Sequence, residues 1–211
     1  MRIIFIRHGE TDWNVTLQYQ GQGNVPLNRR GQHQARLAGE RLKAYKACAL
    51  YTSDIVRARN TAEIISPIVG LEPIMMPELR EIDVGQWEGL TPEELYRRFP
   101  EHMREYERDP ARTVRRGGES YAQLQERALK AMQRMYEAHM GEETVLAVTH
   151  GGTIRAILCH VIGLDLNNFG RMWIDNGSLS EIRHGMHGWR LVRLNDTAHI
   201  EGKDLTFEGG E

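Results

Sequence analysis

The way the first strand ends most constrains what this chain can fold into. Ile3-Ile4-Phe5-Ile6 is an unbroken apolar run of β-branched and aromatic residues, which reads as a short strand buried on both faces, the pattern of a central strand in a parallel sheet. Polarity then switches at once: Arg7 and His8 stand where the strand stops, and Gly9 allows a sharp turn with close backbone approach. Open α/β sheets bind ligands outside the carboxyl ends of their strands, so an Arg-His pair there is placed for chemistry. Taken alone, His8 reads as an ordinary hydrogen-bonded surface histidine.

The same arrangement recurs late in the chain. Thr144-Val145-Leu146-Ala147-Val148-Thr149 is the cleanest buried strand in the sequence, it ends in His150-Gly151-Gly152, and residues 153–162 then read as a helix. Free N–H groups and the positive end of the dipole make a helix start of this kind an anion site. Between the two modules, residues 18–27 form a polar, Gly-rich loop, and helical spacing predicts an amphipathic helix over about 31–46. Residues 47–52 read as a second strand, and Ser53-Asp54 is expected to cap the following helix, which should end near Ser66 because Pro67 disfavours helix before it. Residues 73–76 suit an edge strand. Glu81 and Asp83 then sit among apolar residues, a setting that raises a carboxyl pKa and lets a neutral acid donate a proton; pairing with surface arginines is the plainer alternative.

Residues 91–118 break into short charged pieces punctuated by Pro92, Pro100 and Pro110, and read as a cap inserted over the site. Seven arginines (97, 98, 104, 108, 112, 115, 116) face four acids (101, 105, 107, 109) there, enough for a local basic field, although a solvated helical face is the commoner meaning of such a run. A helix over about 120–139, with Met132 and Met135 as core filler, leads to the second histidine module. Residues 179–182 and 189–194 alternate around a Gly-rich turn as a hairpin, with His184 and His187 expected to face solvent in the turn.

Composition excludes several classes. At 211 residues, with 40% hydrophobic and 27% charged residues and a formal net charge of -2, nothing points to nucleic acid, and one domain is the expectation. Cys48 and Cys159 are far apart, lack metal-ligand spacing, and are expected to be buried thiols. No stretch has the length of a membrane span, and the N-terminal apolar run is too short for a signal-peptide core, which gives a cytoplasmic expectation.

Arg7-His8-Gly9-Glu10-Thr11 with Trp13-Asn14, Leu27-Asn28 with Gly31, Ser53-Asp54-x-x-Arg57-Ala58-x-x-Thr61-Ala62, Gly117-Gly118-Glu119-Ser120 and strand-His150-Gly151 together resemble the histidine phosphatase superfamily, in its phosphoglycerate mutase-like branch. The first and last motifs are the specific ones. Leu79-Arg80-Glu81-Ile82 followed by Gly85-x-Trp87-Glu88-Gly89 is similar to the phosphatase members, whereas mutases tend to carry His and Tyr where this chain has Asp83 and Val84. The family loop commonly has Trp and Asp where this chain has Gln22 and Asn24.

The resemblance implies a three-layer α/β/α sandwich with a mostly parallel sheet, helices on both faces and a small helical cap. It implies that His8 is the phosphoryl acceptor, that Arg7, Arg57 and His150 hold the phosphoryl oxygens, and that Glu81 is the proton donor. Asn14, Gln20, Gly21 and the Gly151 N–H would add substrate contacts, and His199, in a tail similar to that of metal-independent phosphoserine phosphatases, would meet a substrate carboxylate. A phosphate monoester is nearly a dianion, so such a site needs cations, a neutral nucleophile and an acid for the leaving oxygen, and no metal or other cofactor. The expected activity is therefore hydrolysis of a small phosphorylated metabolite, with phosphoglycerate mutase as the alternative and a silent phosphate-binding module as a third reading. A homodimer is suggested by resemblance alone.

Overall fold

Side chains along the strand β1 (Arg2–Arg7) point alternately to the two sides of the sheet, so Ile3 and Phe5 enter one apolar cluster while Ile4 and Ile6 enter another. All four are at most 1% exposed, as a central strand requires. Truncating a side chain such as Phe5 to alanine would cost about 3–5 kcal/mol. The computed structural model describes residues 1–139, 141 and 143–203.

In chain order, β1 is followed by a one-turn helix α1 (Asp12–Val15), α2 (Arg29–Leu42), β2 (Ala49–Thr52), α3 (Val56–Val69) and β3 (Pro73–Met75). Then come α4 (Pro92–Arg98), α5 (Pro100–Arg108), α6 (Tyr121–Ala138), β4 (Thr144–Thr149), α7 (Gly151–Ile162) and the hairpin β5 (Leu179–Gly185) and β6 (Gly188–Asp196). The strands lie in the order β3-β2-β4-β1-β5-β6. The first four are mutually parallel and the hairpin adds an antiparallel edge. Ala38, Leu42, Ala62 and Ile65 put α2 and α3 against one face, and Leu124, Ala128, Ile154 and Ile157 put α6 and α7 against the other. This is the expected mixed α/β sandwich. The β1–β4 register pairs Arg7 with Thr149, which sets His8 and His150 side by side at the carboxyl edge.

Residues 91–118 fold as α4 and α5, with Leu95 and Met103 buried in the same cluster as Trp87. Thr91 caps α4 through a capping box with Glu94, and Ser120 caps α6 through one with Gln123. No described helix is long and apolar enough to cross a membrane.

Several local expectations are corrected. Helix α3 runs through Pro67 to Val69 instead of ending near Ser66: Pro67 and Glu63 are both exposed, so the carbonyl that loses its partner is on the solvent side, while the helix still packs through Ile65. Its N-cap is Ile55, without a side-chain cap bond; Ser53 Oγ accepts the Ile55 N–H just ahead of the helix and meets His150, while Asp54 accepts from Arg80. Helix α7 begins at Gly151, two residues earlier than expected, directly after His150. Cys48 is exposed, its Sγ turned to His139 and Glu143, and only Cys159 is buried. His184 lies on β5, not in the turn, with its ring 4.5 Å from Tyr136 and 5.1 Å from Trp189. His187 is exposed.

Candidate active site

The site is assembled at the ends of β1 and β4. Gly9 lets the chain turn there: a Cβ on it would lie 2.2 Å from the carbonyl oxygen of Gly31, so two backbones meet where no side chain fits. That contact anchors the first turn of α2 beneath His8. The Gly9 N–H donates to Thr61 Oγ1 at 3.1 Å, the Thr61 hydroxyl donates to the Arg57 carbonyl, and Asn176 donates to the His8 carbonyl. The backbone that carries His8 is thus fixed from three elements.

The His8 ring is 3% exposed and its state follows from its neighbours. Nδ1 lies 2.7 Å from the Gly9 carbonyl, which can only accept, so Nδ1 carries the proton and Nε2 the lone pair. The Arg57 Nε–H donates to that lone pair at 3.1 Å. Burial, then the charges of Arg57 and Arg7, push the His8 pKa well below 6.5, so the imidazole is neutral at physiological pH. His150 is fully buried, 5.2 Å ring to ring from His8, and its pKa is likewise depressed well below 6.5 by burial and by Arg57. Its Nε2 meets Ser53 Oγ at 2.8 Å, and its Nδ1 has no hydrogen-bond partner among the described residues.

Arg57 ties the loop to the nucleophile. Its two terminal nitrogens donate to the carbonyls of Gly21 (2.7 Å) and Gly23 (3.0 Å) while Nε reaches His8, so one guanidinium fork holds residues 21–23 over the ring. Arg7 donates to the Ile174 carbonyl at 2.6 Å and leaves its buried Nε without a partner. Burial draws both arginine pKa values down to about 10, opposed by Glu81, so each remains a cation at neutral pH.

Glu81 is not set among apolar side chains as its neighbours in sequence suggested. Its carboxyl group accepts the Gly152 N–H at 2.9 Å and the Ile82 N–H at 2.9 Å, at the start of α7. Arg127 places it from behind, donating to the carbonyls of Glu78, Arg80 and Glu81 and pairing with Glu119 of the Gly117–Ser120 turn. Asp83 is turned away and accepts the Gly85 N–H.

These residues line an open cavity of about 190 Å³ that also takes in Asn14, Gln20, Gly21 and Gly151. Gln20 is buried there with its side-chain carbonyl unpartnered. His199 is not part of the lining: it is buried behind the strand end, 3.0 Å from the Gly177 carbonyl, while the Gly177 N–H donates to the Arg7 carbonyl. Burial lowers its pKa. Gln22 donates to the Glu81 carbonyl, fastening the loop to the acid.

Sequence reasoning missed Arg115 and Arg155. Six of the seven arginines in residues 97–116 are exposed, as a solvated face would have them, but Arg115 is 2% exposed, lines the cavity, and lies 4.8–5.3 Å from the ring centres of Tyr121, Tyr106 and Trp87. Arg155 reaches the cavity from the first turns of α7 and makes no hydrogen bond or ion pair among the described residues; its buried Nε is unpartnered there, as is that of Arg115. Its place four residues after Gly151 was the available signal, since that spacing returns a helix residue to the side facing the site. Among the described residues the cavity holds four guanidinium groups and one carboxylate.

Residues 3–197 match the histidine phosphatase superfamily (branch 1). The chain is 32% identical over 200 residues to phosphoserine phosphatase 1 of Hydrogenobacter thermophilus, covering 95% of this chain and 94% of that protein. It is 33% identical over 212 residues to a protein of Yersinia enterocolitica named "Probable phosphoglycerate mutase GpmB", covering 95% of each. Among solved structures, Bacillus stearothermophilus YhfR superposes with a TM-score of 0.88 at 34% identity, covering 95% of this chain and 99% of that one. With the match spanning nearly its whole length, this chain belongs to the histidine phosphatase superfamily, branch 1.

Proposed function

We propose that the chain is a metal-independent phosphatase that hydrolyses a small phosphomonoester through a phosphohistidine on His8. The observation that carries this reading is the state of His8: a buried, neutral imidazole whose Nε2 lone pair faces a cavity lined by Arg7 and Arg57. The Arg57 Nε–H passes from His8 Nε2 to a phosphoryl oxygen, the freed Nε2 lone pair attacks phosphorus and the bond to the ester oxygen breaks, while Glu81 gives that oxygen a proton. Water then attacks the phosphohistidine, returns a proton to Glu81 and restores the His8 lone pair. Arg7, Arg57 and His150, with Asn14 and the Gly151 N–H, stabilise charge on the equatorial oxygens.

The cavity's charge narrows the substrate. Four guanidinium groups beside the single carboxyl group that gives the proton leave an excess that a phosphoryl group of about two negative charges does not fully neutralise. Arg115 and Arg155, each with an unpartnered buried Nε, form a second cationic pole beneath Tyr106 and Tyr121. The substrate accordingly carries a second anion, a carboxylate being a group that a guanidinium fork binds in a bidentate pair. Residues 91–118, which supply Tyr106 and Arg115, act as the cap that selects it.

The test is a phosphate-release screen over phosphorylated metabolites in EDTA, with 3-phosphoglycerate followed in parallel for conversion to 2-phosphoglycerate. Release from one compound supports the phosphatase. Isomerisation without release would make the chain a mutase, the reading that the Yersinia relative's name favours, and would overturn hydrolysis as its function.

A further inference from the structure

A second group of chemically active side chains lies far from the cavity. Cys48 immediately precedes β2, Glu143 immediately precedes β4, and His139 ends α6, so the three meet at the amino ends of the strands, opposite the edge that carries His8 and His150. Cys48 Sγ is 3.6 Å from His139 Nδ1 and 3.7 Å from Glu143 Oε2, and those last two atoms are 3.1 Å apart.

Those separations are informative. With zinc bonds of about 2.3 Å to sulfur, 2.0–2.1 Å to nitrogen and 2.0–2.2 Å to oxygen, the edges of a tetrahedron are about 3.6 Å for S–N, about 3.6 Å for S–O and about 3.4 Å for N–O. The three side chains already form a triangle of that size. A second feature supports the same reading: His139 Nε2 lies 3.0 Å from the Tyr51 hydroxyl. Without a metal, Nδ1–H donates to the Glu143 carboxylate and the Tyr51 hydroxyl donates to Nε2; moving the proton to Nε2, where the Tyr51 oxygen accepts it, frees the Nδ1 lone pair between the sulfur and the carboxylate, and such an outer hydrogen bond is the usual companion of a metal-ligating histidine. The thiol and the carboxylate also face one another across 3.7 Å.

We propose that Cys48 Sγ, His139 Nδ1 and Glu143 Oε2 bind one zinc-class divalent cation, with water in the fourth position. Binding displaces the thiol proton to solvent and exchanges the His139 proton from Nδ1 to Nε2, where the Tyr51 oxygen accepts it. The cation ties the start of β2, the end of α6 and the start of β4 together, and so acts on stability, not on the reaction.

The experiment uses the tag-free, EDTA-stripped full chain titrated with Co²⁺ and then Zn²⁺. One equivalent of cobalt should bring up thiolate charge-transfer and tetrahedral visible bands that zinc bleaches, and the unfolding temperature should rise with zinc. Cys48→Ser should lose the charge-transfer band, and Tyr51→Phe should keep it with about 10- to 100-fold weaker affinity. Phosphate release should be the same with and without zinc. Absence of the thiolate band in the wild type, or equal cobalt binding by Cys48→Ser, would overturn the site.

Discussion

Replacing Arg155 with methionine separates the second cationic pole from the phosphoryl pole. Among the described residues the Arg155 guanidinium makes no hydrogen bond or ion pair, so its removal strands no partner there, and methionine keeps the apolar stem on α7. Fold stability should change by no more than about 0.5 kcal/mol. A hydrogen bond to a charged group is worth about 1.5–3 kcal/mol, so a substrate whose carboxylate meets Arg155 should lose about 10- to 150-fold in kcat/KM. The assay compares phosphoserine with phosphoethanolamine, which carries the same phosphoryl and amino groups without the carboxylate. Wild type should prefer phosphoserine, and Arg155→Met should erase that preference by the factor above while leaving phosphoethanolamine nearly unchanged. Exposed Arg104, treated the same way, should alter neither substrate. Equal losses for both substrates would mean that Arg155 contributes only general field, and would refute a carboxylate contact there.

His8→Ala should abolish turnover and labelling by phosphorylated substrate while leaving the circular dichroism spectrum intact. Arg57→Lys should cost more than about 100-fold in kcat/KM, because an ammonium cannot span His8 Nε2 and the carbonyls of Gly21 and Gly23 together. His8 and His150 are both neutral when folded, with pKa values depressed well below 6.5. The unfolded chain therefore binds more protons than the folded one once pH falls below about 6.5, and stability present above that pH should be lost as the medium is acidified. Urea midpoints measured from pH 8 down to pH 5 should fall, with proton uptake on unfolding; a flat profile would contradict the buried neutral pair.

The sheet and its two histidine modules were legible because each rests on local pattern: a continuous apolar run, then a charged residue, histidine and glycine. Which strand neighbours which is not local, yet two strands ending in His-Gly have to be parallel neighbours for their histidines to meet, and β1 and β4 are. Arg115 was not legible, since in sequence it is one of seven similar arginines, and only the packing of Trp87, Tyr106 and Tyr121 around it distinguishes it from its solvated neighbours. Ser53 was read as a cap because Ser-Asp before a helix is a capping pattern; its hydroxyl does accept the Ile55 N–H, but that lies ahead of the helix, and the same oxygen meets His150, almost a hundred residues away. The Cys48 cluster escaped for the same reason: its members are 91 and 95 residues from the cysteine, and only the closing of β2 beside β4 brings them together.

Glu81 offers a stricter test of the mechanism than its own deletion does, because Gly152 sets its position. A Cβ on Gly152 would lie 2.4 Å from Glu81 Oε1 and 3.2 Å from the Tyr121 hydroxyl, so Gly152→Ala has to push the carboxyl group off by about 1 Å to restore ordinary contact. The helix itself tolerates the change: alanine is favoured over glycine within a helix by about 0.5–1 kcal/mol. The variant should therefore remain as stable as wild type while misplacing one acid. On kcat/KM, which reports phosphorylation of His8 and not the later hydrolysis, an alkyl phosphate such as phosphoserine should suffer far more than p-nitrophenyl phosphate, whose leaving oxygen hardly needs a proton. Glu81→Gln should give the same ordering, and the two changes combined should cost little more than either alone, since both remove one proton transfer. If Gly152→Ala slows both substrates equally, the added methyl acts on the phosphoryl pole through α7, and the acid role assigned to Glu81 loses its positional support.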